Sequence, residues 1–176
     1  KNIWRDSSDM LIPRAGMAIV AHHGAIFAIG GLDEDAKACD VVEKYDSHSH
    51  NWTSVACLQQ GRAMGAAAVW DSTIYVSGGY AANGTLLSSV EAYDLRHDKW
   101  YTVAPMQQGR AGHAMEVMPC NSGTRLCAFG GFRGTAMTNR TLTATCESYN
   151  KPSSAWEDCE ELGMPEPLSG FACCTL

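Results

Sequence analysis

The sequence repeats itself at intervals of about 48 residues, and this repeat constrains the fold more than any other feature. An arginine, a pair of glycines, a tyrosine and a tryptophan recur in the same order and in one phase. A period near 50 residues indicates a solenoid, a propeller or another array, in which each unit buries its faces against its neighbours. The repeated positions are Arg14, Arg62 and Arg110; Gly30, Gly31, Gly78, Gly79, Gly130 and Gly131; Tyr45, Tyr93 and Tyr149; and Trp52, Trp100 and Trp156.

The second repeat shows most clearly what each unit contains. Its segments GAAAVW, TIYVS, VEAYD and KWYTV begin at residues 65, 73, 90 and 99 and are separated by turn residues. Short segments rich in β-branched and aromatic residues predict four strands of about five residues each. No segment has an apolar period of 3.6 long enough for a helix. The chain is therefore predicted to be all-β, built from four-stranded units.

The repeated residue types suit stacked units of this kind. The first strand of each unit is rich in small residues, which fit the crowded centre of a propeller. The glycine pairs allow a positive φ or a close backbone approach at the end of a strand, and the Tyr and Trp side chains fill the space between units. Glu43, Glu91 and Glu147 each lie two residues before the repeated Tyr. A carboxylate in every unit predicts a structural acceptor for backbone N–H groups or Arg, not a catalytic base.

The order Arg, apolar strand, Gly-Gly, Val-Glu-x-Tyr-Asp and Trp resembles the Kelch motif. The third unit departs from it, with Asn150 in the Asp place and a longer middle loop. The segments APMQQGR and LQQGR are similar to those that join blades in BTB-BACK-Kelch proteins. The resemblance implies a Kelch-type β-propeller of four-stranded antiparallel blades.

The repeats divide the whole chain into units of one blade each. Residues 14–61, 62–109 and 110–167 form three repeats, residues 1–13 resemble the end of a preceding blade, and residues 168–176 resemble the first strand of the next or closing blade. Kelch domains similar to this one usually have six blades. We therefore expect about half a ring, which is either part of a larger protein or a half-ring that dimerises.

The resemblance also implies a peptide-binding face at one end of the propeller. In Kelch adaptors, the residues after the diglycines and the Arg at each blade junction line its entrance. The candidate peptide-binding residues are Arg14, Leu32, Arg62, Tyr80, Arg110 and Phe132. In the alternative interpretation, the repeated arginines bond backbone carbonyls and hold neighbouring blades together.

Two departures bear on the ligand of this face. Adaptors often carry a hydroxyl residue directly after the repeated Arg, whereas this chain has Ala15, Ala63 and Ala111 there. A known adaptor's ligand therefore does not transfer. The first middle loop is acidic and the third contains Arg133 and Arg140, so the charge of the rim predicts no single ligand charge.

Charge and hydropathy exclude several other partners. A net charge of −6 and a pI of about 5.4 argue against nucleic acid, which requires a basic face. No apolar run approaches the roughly 20 residues that cross a bilayer, and the first ten residues have no signal-peptide pattern. The sequence therefore predicts neither nucleic-acid nor membrane binding.

Catalytic and metal-binding motifs do not appear in the sequence. It contains no GxSxG elbow, Walker A loop or HExxH, so we expect neither an enzyme nor a cofactor. The predicted turns on the face opposite the candidate peptide site carry His22, His23, His48, His50 and His97. We interpret these histidines as solvent-exposed turn residues and not as metal ligands. His113 is predicted to be a packed residue of an inner strand.

No two of the eight cysteines have CxxC spacing, so the sequence does not indicate a zinc ribbon. Free thiols in a reducing compartment are favoured over a disulfide framework. The sequons at Asn51, Asn83 and Asn139 would be glycosylation sites if the protein were secreted.

Two functions are compatible with a Kelch-type propeller. The first is substrate recognition in a cullin-type E3 ubiquitin ligase, with the cullin bound through a BTB domain outside this chain. The second is a cytoskeletal Kelch protein that binds or crosslinks actin. Both imply a protein-interaction module, located in the cytoplasm or on the cytoskeleton.

Overall fold

Three four-stranded antiparallel sheets, or blades, follow one another along the chain in the computed structural model, which describes residues 3, 6–120 and 123–171. The first blade contains β1 (Ala18–His22), β2 (Ala25–Ile29), β3 (Val42–Asp46) and β4 (Asn51–Ser54). The second contains β5 (Ala66–Trp70), β6 (Thr73–Ser77), β7 (Val90–Asp94) and β8 (Lys99–Val103). In both blades each strand pairs with the next along the chain. The predicted all-β, four-stranded unit is confirmed.

The third blade adds a small second sheet to this plan. A short strand β9 (Arg110–Ala111) precedes β10 (Ala114–Cys120) and β11 (Gly123–Phe129), and the blade is completed by β14 (Cys146–Asn150) and β15 (Ala155–Asp158). Between them, β12 (Phe132–Arg133) pairs with both β9 and β13 (Thr141–Leu142). The longer middle loop accommodates this sheet and a 3-10 turn at Met137–Asn139.

Tight turns join the first two strands of the first two blades. Trp70 pairs with Thr73 across Asp71 and Ser72, which have φ angles of 48° and 58°. Two consecutive residues with positive φ match the right-handed twist of the paired strands. This turn sets the register that directs Ile74 and Val76 into the core.

The core lies between the blades, because neighbouring sheets stack face to face. One apolar cluster joins Phe27 and Ile29 of the first blade to Ile74 and Val76 of the second. A second cluster joins the second blade to the third. The small side chains of β5 allow it to pack against both β1 and β10, as expected for the innermost strands of a propeller.

The repeated aromatic residues attach each blade to the segment that precedes it. Tyr93 and Trp100 stack with ring centroids 4.8 Å apart, and the Trp100 indole N–H donates to the Ala56 carbonyl at 2.9 Å. Equivalent indole bonds run from Trp52 to Ser8 and from Trp156 to Ala104. The chain that leaves one blade is thereby held against the next.

The two ends of the chain are described only in part. Trp4 and the adjacent Cys173 and Cys174 lie outside the described residues. Near the other end, the Leu168 carbonyl accepts a hydrogen bond from Gly131 N at 2.7 Å. The carbonyls of Arg62 and Arg110 accept equivalent hydrogen bonds from Gly31 N and Gly79 N, respectively. Among the residues described, no helix is long and apolar enough to span a bilayer.

Candidate functional site

The repeated arginine of the second blade is buried and bonded within the protein. Arg62 Nη1 donates to the carbonyls of Gly78 at 2.8 Å and Ser89 at 3.1 Å, and Nη2 donates to Glu91 Oε1 at 2.7 Å. Burial lowers the pKa of Arg62, and its hydrogen bond to Glu91 opposes that shift. The guanidinium therefore joins the end of β6 to the beginning of β7.

The same bonds recur in the other two blades. The acceptors for Arg14 are Gly30 O, Val41 O and Glu43 Oε1, and those for Arg110 are Gly130 O, Thr145 O and Glu147 Oε1. This is the arrangement of the alternative interpretation, in which the arginines bond backbone carbonyls. Because these side chains are buried and their terminal nitrogens are bonded within the protein, the residues that follow the diglycines are the more accessible of the candidate peptide-binding residues.

The repeated glutamates also accept hydrogen bonds from the backbone of the segment that enters their blade, a structural role that their recurrence predicts. Glu91 Oε2 accepts a hydrogen bond from Gln59 N at 2.7 Å, and Oε1 accepts one from Gln60 N at 3.2 Å. Both donors lie on the segment that leads from the first blade into the second. Each carboxylate therefore connects its own blade, the blade's arginine and the incoming chain.

The residues after the diglycines form a row along one face, which we call the rim. Leu32, Tyr80 and Phe132 pair in antiparallel bridges with Ala15, Ala63 and Ala111, the residues that follow the repeated arginines. All three rim side chains are half-buried. Each of these residues therefore occupies the equivalent place in its own blade, as the repeat spacing predicts.

Loops of opposite charge flank the rim. In the first blade, Asp33 Oδ1 accepts hydrogen bonds from the backbone N–H groups of Asp35 and Lys37 at 3.0 and 2.9 Å. In the third blade, the Arg140 guanidinium lies over the Phe132 ring, 4.8 Å from its centroid. The rim thus has an acidic end and a basic, aromatic end.

The predicted turn histidines contact different neighbours. His22 is the last residue of β1, not part of the turn as expected, and its ring centroid lies 4.0 Å from that of His23. His50 bonds Tyr45, and His97 bonds Asp94 at 2.6 Å. Within residues 3, 6–120 and 123–171, no three His, Cys, Asp or Glu side chains form a metal-binding group.

His113 is buried as predicted, but it directly precedes β10 instead of lying within a strand, and its partner was not predicted. Its Nε2 lies 2.8 Å from Ser77 Oγ, across the junction of the second and third blades. Position 77 corresponds to Ile29 and Phe129 in the other repeats. This change from an apolar side chain to a hydroxyl was the sequence signal that could have indicated the contact with His113. Burial, with smaller contributions from Arg110 and Arg62, lowers the pKa of His113 to about 3.

We predict that His113 makes the fold sensitive to acid. Since its pKa is lower in the folded state, the unfolded chain binds the proton first, and stability falls as the pH drops below about 6.5. Between pH 7 and pH 5, the wild type should lose about 2 kcal/mol of unfolding free energy more than His113→Gln. Urea titrations at the two pH values measure this difference. Equal losses in the two proteins would contradict the prediction.

In comparisons with known proteins, one family profile matches nearly the whole chain, and individual relatives match parts of it. A profile described as the KLHDC2/KLHL20/DRC7 Kelch-repeats domain matches residues 4–176. Alpha-scruin of Limulus polyphemus is 41% identical over 75 residues, which are 40% of this chain and 8% of scruin. Kelch-like protein 38 of Homo sapiens is 37% identical over 70 residues, 40% of this chain and 12% of the relative. The chain therefore spans only a small part of these relatives.

A solved structure shares the fold. The protein titled "Structure of YjhT" superimposes with a TM-score of 0.72 at 17% sequence identity, covering 93% of this chain and 56% of that one. The similarity shows that the blades are arranged alike in the two proteins.

Proposed function

The chain belongs to the family of Kelch-repeat domains, and we propose that it is a protein-interaction module that binds a peptide segment of its partner on the rim. The observation that carries this proposal is the row of Leu32, Tyr80 and Phe132. Each is held by backbone pairing to its own blade and is partly open to solvent. An apolar and aromatic row flanked by charged loops suits an extended peptide.

The pairing of two rim loops supports the proposal further. Leu86 N donates to Thr135 O at 3.1 Å, and Met137 N donates to Gly84 O at 2.9 Å, so the middle loops of the second and third blades are joined. A loop that is already ordered loses less conformational entropy when a partner binds. The rim between Tyr80 and Phe132 is thus prepared for binding.

Within this class, we propose the role of substrate receptor in a cullin-type E3 ubiquitin ligase. The joining segments APMQQGR and LQQGR and the match to Kelch-like protein 38 support it. The cullin contact would be made by a BTB domain outside this chain, and the protein would act in the cytoplasm. Actin binding or crosslinking on the cytoskeleton is the second candidate, and the match to alpha-scruin is the observation in its favour.

We predict that Tyr80→Ala sharply reduces partner capture while Tyr101→Ala preserves it. Tyr80 belongs to the rim, whereas Tyr101 is a 42% exposed tyrosine on β8, an outer strand. Aromatic anchors dominate binding energies at protein interfaces, so partner recovery should fall at least about tenfold for Tyr80→Ala. The measurement is affinity capture of the native full-length protein and its two variants, followed by mass spectrometry.

The identity of the captured proteins separates the two roles. A cullin recovered with BTB-domain peptides from the same polypeptide supports the adaptor role. Stoichiometric actin without a cullin supports the second candidate. Capture that survives Tyr80→Ala but is lost in Tyr101→Ala would move the binding surface to the outer edge of the blades.

A further inference from the structure

Three cysteines of the third blade lie together against one small apolar cluster. Cys127 and Cys146 are buried with Phe129, and half-buried Cys159 packs against them. Phe129 pairs with Cys146 across β11 and β14, and Cys127 lies two residues before Phe129. Because side chains alternate along a strand and paired residues share a face, Cys127 and Cys146 project from the same face of the blade.

Cys146 and Cys159 are the two that lie directly opposite each other. Glu147 pairs with Asp158, and the ladder continues by one step, with Cys159 N donating to Cys146 O at 2.8 Å. Opposed residues of antiparallel strands have Cα atoms about 4.5–5.5 Å apart. That separation falls inside the range of about 4.4–6.8 Å which a disulfide requires. Cys127 hydrogen-bonds Cys146, but it is a diagonal neighbour whose Cα atom lies about 7–8 Å from that of Cys146, outside the range that a disulfide requires.

A cavity gives small molecules access to both of these thiols. Cys146 and Cys159 line a cavity of about 380 Å³ together with Arg133, Glu147 and Asp158. Cys159 also lines a second cavity of about 440 Å³. The more accessible Cys159 is therefore the thiol that a small oxidant entering from solvent meets first.

We propose that Cys146 and Cys159 form a modification site for hydroperoxides, which convert the two thiols into a disulfide. Cys159 attacks the peroxide, its O–O bond breaks, and a sulfenic acid and the first water (or alcohol) are formed. Cys146 then attacks the Cys159 sulfur, an S–S bond replaces the S–O bond, and hydroxide leaves with the Cys146 proton as water. Two thiols are oxidised by two electrons, and one peroxide is reduced.

The contacts of Cys146 support this order of reaction. Hydrogen bonding to Cys127 and burial raise the pKa of Cys146, so its thiol is protonated at neutral pH and reacts second. Cys146 also directly precedes Glu147, whose Oε1 accepts the 2.6 Å bond from Arg110. Oxidation therefore acts beside the Arg–Glu junction of the third blade.

Peptide mapping of the folded chain tests the proposal. The chain is treated with hydrogen peroxide, its remaining thiols are alkylated, and it is cleaved with trypsin and Glu-C. Residues 117–125, 126–133, 141–147 and 158–160 then carry Cys120, Cys127, Cys146 and Cys159 on four separate peptides. The expected product links 141–147 to 158–160. A link between 126–133 and 141–147, or full recovery of 158–160 as the alkylated peptide, would overturn the proposal.

Two variants act as matched controls. Cys159→Ser, at a half-buried position, should remove at least nine-tenths of the linked product and leave Cys146 open to alkylation after unfolding. Cys120→Ser, also half-buried on the same blade, should leave the link unchanged. Loss of the 141–147 to 158–160 link in Cys120→Ser would show that another thiol carries the oxidation and would reject the assignment.

Discussion

Replacing Glu91 by alanine is expected to lower the unfolding free energy by about 3–5 kcal/mol. The substitution leaves the Arg62 guanidinium buried without its carboxylate, and it also removes the acceptor for the backbone N–H groups of Gln59 and Gln60. A buried charge that loses its partner costs more than the pair contributed, because the desolvation of the remaining ion is no longer offset. The loss is large compared with the roughly 5–15 kcal/mol that stabilise a typical domain.

Urea unfolding of the wild type, Glu91→Ala and a surface control measures this effect. The control is Asp35→Ala, which breaks a 3.4 Å ion pair with Lys37 whose side chains are 76% and 66% exposed. Exposed pairs contribute about 0–1 kcal/mol, so the control should unfold close to the wild type. A double variant, Arg62→Met with Glu91→Leu, should recover part of the loss because no unpaired charge remains. If Glu91→Ala unfolds like Asp35→Ala, the junction has no special role in stability.

Gly79→Ala should destabilise the fold by about 3–5 kcal/mol, far more than Gly84→Ala. Both glycines are in the left-handed region, with φ of +86° and +80°. A Cβ at Gly79 would lie 2.5 Å from the Ala63 carbonyl oxygen and 3.0 Å from Gly65 N, whereas a Cβ at Gly84 meets no atom within 4 Å. Gly84→Ala therefore has only the conformational strain of about 1–2 kcal/mol.

The comparison separates backbone strain from steric conflict at the diglycine. Thermal and urea unfolding of the two variants give the difference directly, since the φ values are matched. Because Ala63 O also accepts the N–H of Tyr80 at 2.9 Å, the conflict at Gly79 should disturb the rim as well. Equal destabilisation of Gly79→Ala and Gly84→Ala would mean that the close approach is relieved at little cost.

The strands could be predicted closely because their signals are local. The segment GAAAVW predicted a strand at residues 65–70, and β5 is Ala66–Trp70. The other three strands of the second blade have the predicted bounds. Alternation of buried residues, turn residues and β-branched side chains all act within a few positions of each other, so one sequence contains them completely.

The candidate site could be predicted only in part. The spacing selected Leu32, Tyr80 and Phe132, and it equally selected the three arginines, because both sets recur with the repeat. Which set faces solvent depends on where the guanidinium groups are directed. Arg62 is directed toward carbonyls and a carboxylate that lie 16–29 residues away, and no local pattern encodes that direction.

The sequence by itself determined the repeat period, the four strands of each blade and the residues that occupy equivalent places. The reason is that repeated units pack against their neighbours in the same way. The tertiary structure alone decided the departures from equivalence. His113 meets Ser77 only because the second and third blades stack in one register, and Cys146 meets Cys159 only because β14 and β15 are paired. Such contacts depend on the spatial positions of segments that meet only once the sheets have formed and packed.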